Sequence, residues 1–456
     1  MSDTETSVME NVLNAGLVEA VRAAVASADA ARITALMEPL HAADVADLLE
    51  QMGATDRGAL LALWSGEIDG DILSEIDESI REEVIESLSP TVLADAMREL
   101  DTDDLVDIIE DMERPQQDAI LGALTDVDRV AVEQALGYPE ESAGRLMQRE
   151  VVMAPLDWTV GQAIDYLRHA EQLPDQFYHV ILVDTAARPT GYVTLGRILS
   201  APRDRALLDL IEDSFRTIRA TDAEADVAYI FNQYHLISCP VVDAAGRLVG
   251  VITIDDAMNV LDEEHEEDML LLAGVGEESH ISDGVLETVR QRFPWLFVNL
   301  VAVNLSALVI GQFAGTISSL VALAALLPIV ASMGGNAGTQ SLTVAVRALA
   351  TRDLTRSNAG RVVRREVAVG LINGISFAAM MGVVGWLGYH SAMLGVVIGM
   401  AMVANLFIAA LAGVMVPLTL TRLRLDPALA SGTFVTTLTD ITGFFVFLGL
   451  ATWLLI

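Results

Sequence analysis

The spacing of hydrophobic positions divides the chain into regions of three kinds. Up to about residue 140, apolar residues recur every three or four positions, as in 43–49 and 104–112, which is typical of short amphipathic helices. Residues 141–262 contain short apolar runs that predict strands, with helical stretches before them. After residue 293 come five long apolar runs, and each can cross about 30 Å of hydrocarbon as a helix. The pattern therefore predicts a multidomain protein.

Residues 1–140 predict an acidic, all-α domain. Gly53, Pro90 and Pro115 punctuate the helices, and the spacing is similar to a superhelix of stacked helix pairs. Asp103 and Asp107 are four residues apart and therefore share one helical face. The pattern alone favours a solvated acidic surface there.

Residues 141–206 and 207–261 predict two copies of one α/β unit. Each copy has a short apolar strand, a turn containing Asp and a second strand, as in 179–195 and 239–256. The phrase PVVDAAGRLVGVITIDD in the second copy resembles a CBS domain, and such units pack in pairs. In that family a Gly-x-x-Thr-x-x-Asp stretch holds a nucleotide, and Gly250, Thr253 and Asp256 fit it. The first copy has Arg197 in place of the Asp.

Residues 262–292 predict an acidic connector helix that leads to the membrane. Residues 262–268 include six acids among seven positions. Such a run is either an ordinary solvated segment or a switch that bound divalent cations would stabilise, because like charges three and four apart repel each other. Carboxylates without cysteine or paired histidine favour Mg²⁺ or Ca²⁺ over zinc.

Residues 293–456 predict a membrane domain of five helices. The apolar runs cover 294–313, 317–349, 367–387, 394–418 and 428–456. Arginines flank the first run on its N-terminal side and fill the loops after the second and fourth runs. We therefore expect a protein of the inner (plasma) membrane. The positive-inside rule places residues 1–292 on its cytoplasmic side and the C-terminus outside.

The charge is distributed unevenly along the chain. Residues 289–456 hold ten arginines and four acids and therefore carry a net charge of +6. The whole chain carries −37, so the net charge of residues 1–288 is −43. An acidic surface of this size excludes nucleic acid as a partner and suits multivalent cations. Cys239 is the only cysteine, so it forms no intrachain disulfide, and its apolar neighbours predict a buried strand residue.

Asp440 is the only acid inside the last apolar run. An acid at the centre of a membrane helix costs about 2.5–3.5 kcal/mol on insertion scales, and such residues usually serve a function. Thr436, Thr437, Thr439 and Thr442 surround Asp440 with hydroxyls, which indicates a cation path. The ordinary alternative is a protonated Asp bonded to a neighbouring helix.

The second apolar run contains Pro328 and three glycines between residues 334 and 338. These residues predict irregular backbone whose freed carbonyls face water together with Asn336 and Gln340, and Asn336 and the neighbouring Gly335 are expected to line the same path. Single asparagines in the spans, among them Asn304 and Asn405, favour interhelical hydrogen bonds over cation binding.

Four stretches together resemble the MgtE family of magnesium transporters. They are 141–147 (ESAGRLM), 334–341 (GGNAGTQS), 426–428 (DPA) and 439–443 (TDITG). The resemblance implies a homodimer with a central pore, in which Asp440 binds Mg²⁺ and the connector is a plug helix. It also implies that cytosolic Mg²⁺ closes the pore. Matching the family motifs assigns regulatory ligands to Asp103, Asp107, Asp256, Glu264, Glu267 and Asp268.

The chain departs from some relatives at four positions. Gly432 stands where some have Asn, and Ala225, His235 and Asn259 stand where some have acids. The frame around Asp440 is intact, so the departures bear on the regulatory ligands and not on the pore assignment.

Three hypotheses follow. The first is a Mg²⁺ channel or transporter that admits the ion to the cytoplasm, without enzymatic activity, because no nucleophile or phosphate-binding loop appears. The second is a membrane-anchored module that senses ATP or another adenine nucleotide at the CBS pair and transports nothing. The third retains transport but changes the ion to Co²⁺, Ni²⁺, Mn²⁺ or Zn²⁺, or reverses the direction of transport.

Overall fold

A computed structural model describes residues 15–64, 68–110, 112, 114–170, 173–174, 176–276, 279, 284–429 and 432–456. Main-chain packing divides the chain into two units, Met1–Asp262 and Glu263–Ile456. The predicted classes are confirmed: a helical N-terminal region, an α/β pair and long apolar helices follow one another.

Short helices stack on one another in the N-terminal region. They are α1 (Ala15–Ala26), α2 (Ala30–Met37), α3 (Ala42–Glu50), α4 (Ala54–Trp64), α5 (Gly70–Ser74), α6 (Glu78–Ser87), α7 (Pro90–Ala96), α8 (Thr102–Glu110), α9 (Arg114–Ala123) and α10 (Asp126–Ala135). Asp29, Asp77 and Ser89 each accept a hydrogen bond from the first turn of the helix that follows, and these N-caps set where the helices begin. The apolar face of each helix enters one continuous core, in which Leu48 and Ile108 are fully buried.

Two buried arginines join successive helix pairs. Arg57 donates to the main-chain oxygens of Leu49, in the last turn of α3, and of Met52, just after it, and pairs with Glu83 of α6. Arg81 repeats the arrangement, donating to the oxygen of Ile76 and pairing with Asp107 of α8. Each guanidinium therefore caps one helix end and binds the next helix, which stabilises the stack.

The α/β region contains two three-stranded sheets of the same design. The strands are β1 (Met153–Pro155), β2 (His179–Val183), β3 (Pro189–Thr194), β4 (Ile218–Arg219), β5 (Ser238–Val242) and β6 (Leu248–Thr253). The helices are α11 (Val160–His169), α12 (Leu195–Ser200) and α13 (Glu224–Tyr234). Both sheets combine a parallel and an antiparallel pair, and both have a register shift at the same place, between Leu182 and Val183 and between Val241 and Val242. The predicted duplication is thus confirmed in the register of the strands.

Equivalent positions of the two copies meet. His179 at the start of β2 is hydrogen bonded through Nδ1 to the hydroxyl of Ser238 at the start of β5. Cys239 is buried in β5 as predicted, and burial raises the pKa of its thiol to about 12. The thiol is therefore protonated at neutral pH, and it donates a weak hydrogen bond of 3.6 Å to the main-chain oxygen of Arg216.

The connector differs from its prediction. It is not one helix over 262–292; instead its acids lie on the second half of α14 (Ile254–Ala273), which starts directly after β6. Gly274, with φ of +72°, follows the end of α14, and α15 begins only at Val285. The glycine permits the left-handed turn that ends α14.

Among the described residues, five helices are long and apolar enough to span a membrane, as predicted. They lie within α15 (Val285–Gln312), α17 (Ala322–Ala350), α18 (Ala359–Tyr389), α19 (Ala392–Leu423) and α20 (Gly432–Leu455), and a short helix α16 (Ala314–Ser319) precedes α17. The prediction of irregular backbone was wrong, since α17 continues through Pro328 and all three glycines. With no water in hydrocarbon to replace helical hydrogen bonds, the helix persists where neighbouring helices pack against it.

Candidate cation pathway and cytoplasmic acidic sites

Glycines of α17 bring it against α20. A Cβ added at Gly335 would lie 3.1 Å from Cγ2 of Thr436, and one added at Gly338 would lie 2.6 Å from Cγ1 of Val435. Further along, a Cβ at Gly432 would lie 3.5 Å from Oγ1 of Thr339. The glycines thus serve close helix packing, and two of the predicted site residues, Gly335 and Thr436, are in contact.

These contacts define an antiparallel register, because Gly335 faces Thr436 while Thr339 faces Gly432. Continuing that register by one helical turn brings Asp440 level with the turn of α17 that contains Ser332. Asp440 is half-buried, and among the described residues no hydrogen-bond donor or cation pairs with its carboxylate. A half-buried carboxylate without such a partner is a candidate position for a cation.

The threonine hydroxyls of α20 donate their hydrogen bonds to carbonyl oxygens of the same helix. Thr436 and Thr437 both donate to the oxygen of Thr433, at 3.1 and 2.6 Å, and Thr439 and Thr442 likewise donate to preceding carbonyl oxygens. A hydroxyl whose proton is engaged presents only its lone pairs to other groups. Thr436 and Thr437 therefore offer acceptors to a cation or to the water molecules around it.

Asn336 is exposed on α17, and its Nδ2 lies 3.4 Å from Oγ of Ser332, one turn earlier. Asn336 and Ser332 thus form a polar strip on the helix that packs against the Asp440 helix. The structure therefore brings the predicted pathway residues onto two contacting helices, and among the described residues no hydrogen bond joins Asn336 to Asp440.

Several acids of the first unit gather around α8 and the start of α14. Burial and the charge of Asp256 raise the pKa of Asp103 well above its usual value. Burial and the charges of Asp101 and Asp107 raise that of Asp104 to about 7, and burial raises that of Asp256 to about 7, opposed by its hydrogen bond from Thr253. These carboxyl groups repel one another, so a divalent cation placed among them would relieve that repulsion.

Asp103 and Asp107 differ although they share a helix. Asp103 is buried, 8% exposed, whereas Asp107 is exposed and paired with Arg81, whose Nη1 lies 2.8 Å away. A cation at Asp107 would have to compete with this guanidinium. Asp103 and Asp256 are therefore better placed as ligands than Asp107.

The connector acids divide by exposure. Glu264, Glu267 and Asp268 are half-buried along one face of α14, while Glu263, His265 and Glu266 are exposed. Leu271, one turn further along that face, is buried in a cluster with residues of α17, α19, α20 and the loop before α20, namely Leu342, Val346, Ala412, Ala428 and Val435. The half-buried acids therefore lie beside the ends of the spans that Leu271 contacts.

The charge of a second carboxylate acts on Asp268. Burial and the charge of Asp426, in the loop between α19 and α20, raise the pKa of Asp268, and the neighbouring His265 lowers it. Within the described part of the chain, no three His, Cys, Asp or Glu side chains come together as a preformed metal site. Paired carboxylates suit Mg²⁺, which keeps several water ligands and needs few protein oxygens.

Asp104 and Asp426 were missed by reasoning from the sequence. Asp104 follows the predicted ligand Asp103, but nothing in the sequence distinguishes it from the other acids nearby. Asp426 belongs to the DPA motif, for which the sequence predicts no separate role. The one available signal for Asp426 was its place in an otherwise basic loop.

Residues of the nucleotide motif in the second CBS copy already make contacts within the protein. Oγ1 of Thr253 donates to Asp256 at 2.7 Å. A Cβ at Gly250 would lie 2.6 Å from the main-chain oxygen of Gln148, so this glycine is needed for packing. In the first copy, Arg197 forms a salt bridge of 2.9 Å with Glu212.

Comparison with known proteins places each region. Family models match residues 40–141 (MgtE intracellular N domain), 143–204 and 209–263 (CBS domain) and 327–450 (MgtE, divalent cation transporter). The magnesium transporter MgtE of Thermus thermophilus is 33% identical over 360 residues, which cover 77% of this chain and 79% of that protein. The one from Enterococcus faecalis is 33% identical over 320 residues, 70% of each chain. A crystal structure of the cytosolic domain of the Mg²⁺ channel MgtE in complex with ATP covers 53% of this chain and 99% of its own, at 26% identity and a TM-score of 0.49.

Proposed function

The chain belongs to the MgtE family of magnesium transporters, and on that premise we propose that its membrane helices form a channel through which Mg²⁺ enters the cytoplasm. The observation that carries the proposal is Asp440, a half-buried carboxylate without a cationic partner among the described residues, on a helix held against α17 by glycines. Transport needs a site that attracts the ion but does not hold it permanently, and a single partly exposed carboxylate meets both requirements.

The negative charge of Asp440 explains why an acid suits this position. At an effective dielectric constant of about 20, unit charges 4 Å apart attract by about 4 kcal/mol, and a divalent cation doubles this value. Because Mg²⁺ dehydrates reluctantly, Asp440 would hold it with its water shell, and Thr436, Thr437 and Asn336 would accept or donate hydrogen bonds to those waters. The side chains therefore orient a hydrated ion and do not replace its shell.

We further propose that the cytoplasmic acids sense the transported ion. Mg²⁺ near Asp103 and Asp256 would neutralise the carboxylates that repel one another there, and Mg²⁺ near Asp268 and Asp426 would hold α14 beside the ends of the spans. Glu264 and Glu267 lie on the same face and add charge to that second site. High cytosolic Mg²⁺ would thereby close the channel, which is negative feedback.

The assembly and orientation belong to the same proposal. We propose a homodimer, in which Asp440 of each subunit contributes to one central path. Arginines at the ends of α17, α18 and α19 favour a cytoplasmic position for residues 1–292 and an external C-terminus.

Uptake by liposomes containing the purified protein tests the pathway. Asp440→Ala and Asp440→Asn should each lower Mg²⁺ uptake by at least about 100-fold, which corresponds to about 2.7 kcal/mol. Asp353→Asn, in the exposed basic loop, is the matched control and should transport as the parent does. Parental uptake by a folded Asp440→Ala protein would show that the ion takes another path. Competition by Co²⁺, Ni²⁺, Mn²⁺ and Zn²⁺ in the same assay decides the ion.

Nucleotide sensing is a second candidate, supported by the intact Gly250, Thr253 and Asp256 pattern. It predicts that ATP binds the purified protein and that Thr253→Val weakens this binding, whereas Thr194→Val in the first copy does not. If uptake is absent from every preparation while ATP binds, a sensing module without transport becomes the better description.

A further inference from the structure

Asn405 is a polar side chain at the centre of the membrane helices, and it is 1% exposed. Its Nδ2 donates a hydrogen bond of 2.7 Å to the main-chain oxygen of Val330, which links α19 to α17 as the sequence predicted. Asn304, by contrast, donates to Leu300 in its own helix. The Oδ1 atom of Asn405 is buried and has no hydrogen-bond partner among the described residues.

The amide of Asn405 occupies a slot between two glycines. A Cβ added at Gly334 of α17 would lie 2.3 Å from Nδ2 of Asn405, and one added at Gly443 of α20 would lie 2.9 Å from its Cγ. One side chain of α19 thus touches the two helices that carry the pathway. Gly334 is two residues before Asn336, and Gly443 is three residues after Asp440.

An amide here does something that an apolar side chain of similar size does not. Helices that meet through glycines approach closely but have few side-chain knobs to prevent sliding along one another. A hydrogen bond to one particular carbonyl oxygen fixes the axial position, in the way that a single buried Asn fixes the register of a coiled coil at a cost in stability. The Oδ1 atom without a partner lowers stability in this way, because a buried acceptor has lost its hydrogen bonds to water without replacing them.

We propose that Asn405 is a positioning residue that sets the register of α17 against α20 and so keeps Asp440 level with the polar strip of Ser332 and Asn336. A slip of one residue would move a helix by about 1.5 Å and turn it by about 100°, which would take Asp440 away from that strip. The alignment matters for transport only if Asp440 lies on the ion path, so this part rests on the proposed function.

Disulfide formation measures the register without reference to transport. Thr339→Cys and Gly432→Cys place two thiols where α17 meets α20, in a protein whose Cys239 is replaced by Ser. In liposomes with a mild oxidant, the pair should cross-link readily. Asn405→Leu should slow this reaction at least about tenfold, leave the melting temperature equal or higher, and lower Mg²⁺ uptake at least about tenfold. Asn304→Leu is the control and should change none of the three.

A second variant covers the case in which Asn405→Leu does not fold. Asn405→Ala combined with Gly443→Ala returns volume to the slot but no hydrogen bond, so it should restore the fold and not the cross-linking rate. A parental cross-linking rate in either folded variant overturns the proposal. If the rate falls while Asp440→Ala still transports, the register role stands and the pathway assignment fails.

Discussion

His179 resists protonation because it is enclosed at the junction of the two CBS copies. Burial lowers its pKa to about 4, against about 6.5 for a free histidine. Its Nδ1 is bonded to Ser238, and its ring lies 4.3 Å from the ring of Tyr192. Among the described residues no carboxylate forms a salt bridge with this ring, so the neutral ring is part of the folded state.

The stability of the CBS pair should therefore depend on pH through His179. The folded-state pKa is depressed, so the unfolded chain binds the proton more tightly and the stabilisation is complete above about pH 6.5. It should fall by roughly 1–3 kcal/mol as the pH decreases towards 4. Hydrogen exchange of the β2 and β5 amides in the full chain, corrected for intrinsic rates, measures this change.

His179→Gln should flatten that pH dependence and keep the bond to Ser238. His169→Gln, at the exposed end of α11, serves as the control and should leave the parental slope unchanged. A parental slope in His179→Gln would assign the effect to other groups.

At the scale of elements, the helical stack depends on the guanidinium that joins α6 to α8. Arg81→Met should destabilise the N-terminal region by roughly 2–3 kcal/mol, because it removes a cap from the oxygen of Ile76 and the partner of Asp107. Arg129→Met breaks an exposed pair with Asp126 and should cost less than about 0.5 kcal/mol. Urea titrations followed by hydrogen exchange of α8 compare the two. Equal effects would mean that Arg81 contributes as a surface pair does.

The connector should act as the gate through one face only. Replacing Glu264 and Glu267 by Gln and Asp268 by Asn removes ligands from the half-buried face, so the channel should remain open at cytosolic Mg²⁺ levels that close the parent. Moving a two-state gate from 1:99 to 99:1 takes about 5.5 kcal/mol of differential binding, which requires several sites acting together.

The matched control changes the same charge on the opposite face, with Asp262→Asn, Glu263→Gln and Glu266→Gln, all at exposed positions. Patch recordings across a range of cytoplasmic Mg²⁺ should give this variant a closing curve near the parental one. If both triple variants shift equally, total charge and not position governs the response.

At the scale of the whole molecule, the −43 of residues 1–288 opposes compaction. Each bound Mg²⁺ removes two charges, so millimolar Mg²⁺ should slow proteolysis of this region in the full-length protein more than NaCl at matched ionic strength does. The expected difference is at least about threefold in cleavage rate. Equal protection by the two salts would indicate general screening of a solvated acidic surface.

The local pattern of the chain was sufficient for the classes of structure. Helical period, strand runs and apolar length are properties of neighbouring residues, so the sequence by itself determined the helical region, the duplicated α/β unit, the five spans and the isolation of Asp440 in the last span. It also determined that Cys239 would be buried.

Only the tertiary structure decided which side chains meet. Asp268 and Asp426 are 158 positions apart in the sequence, and Arg81 and Asp107 become partners only because α6 and α8 stack. The glycines near Gly335 have the same backbone freedom in either setting, but the close approach of α20 and Asn405 makes them contact points within a continuous helix instead of a break. The physical reason is that repulsion, desolvation and close packing depend on distances across helices, which local periodicity does not specify.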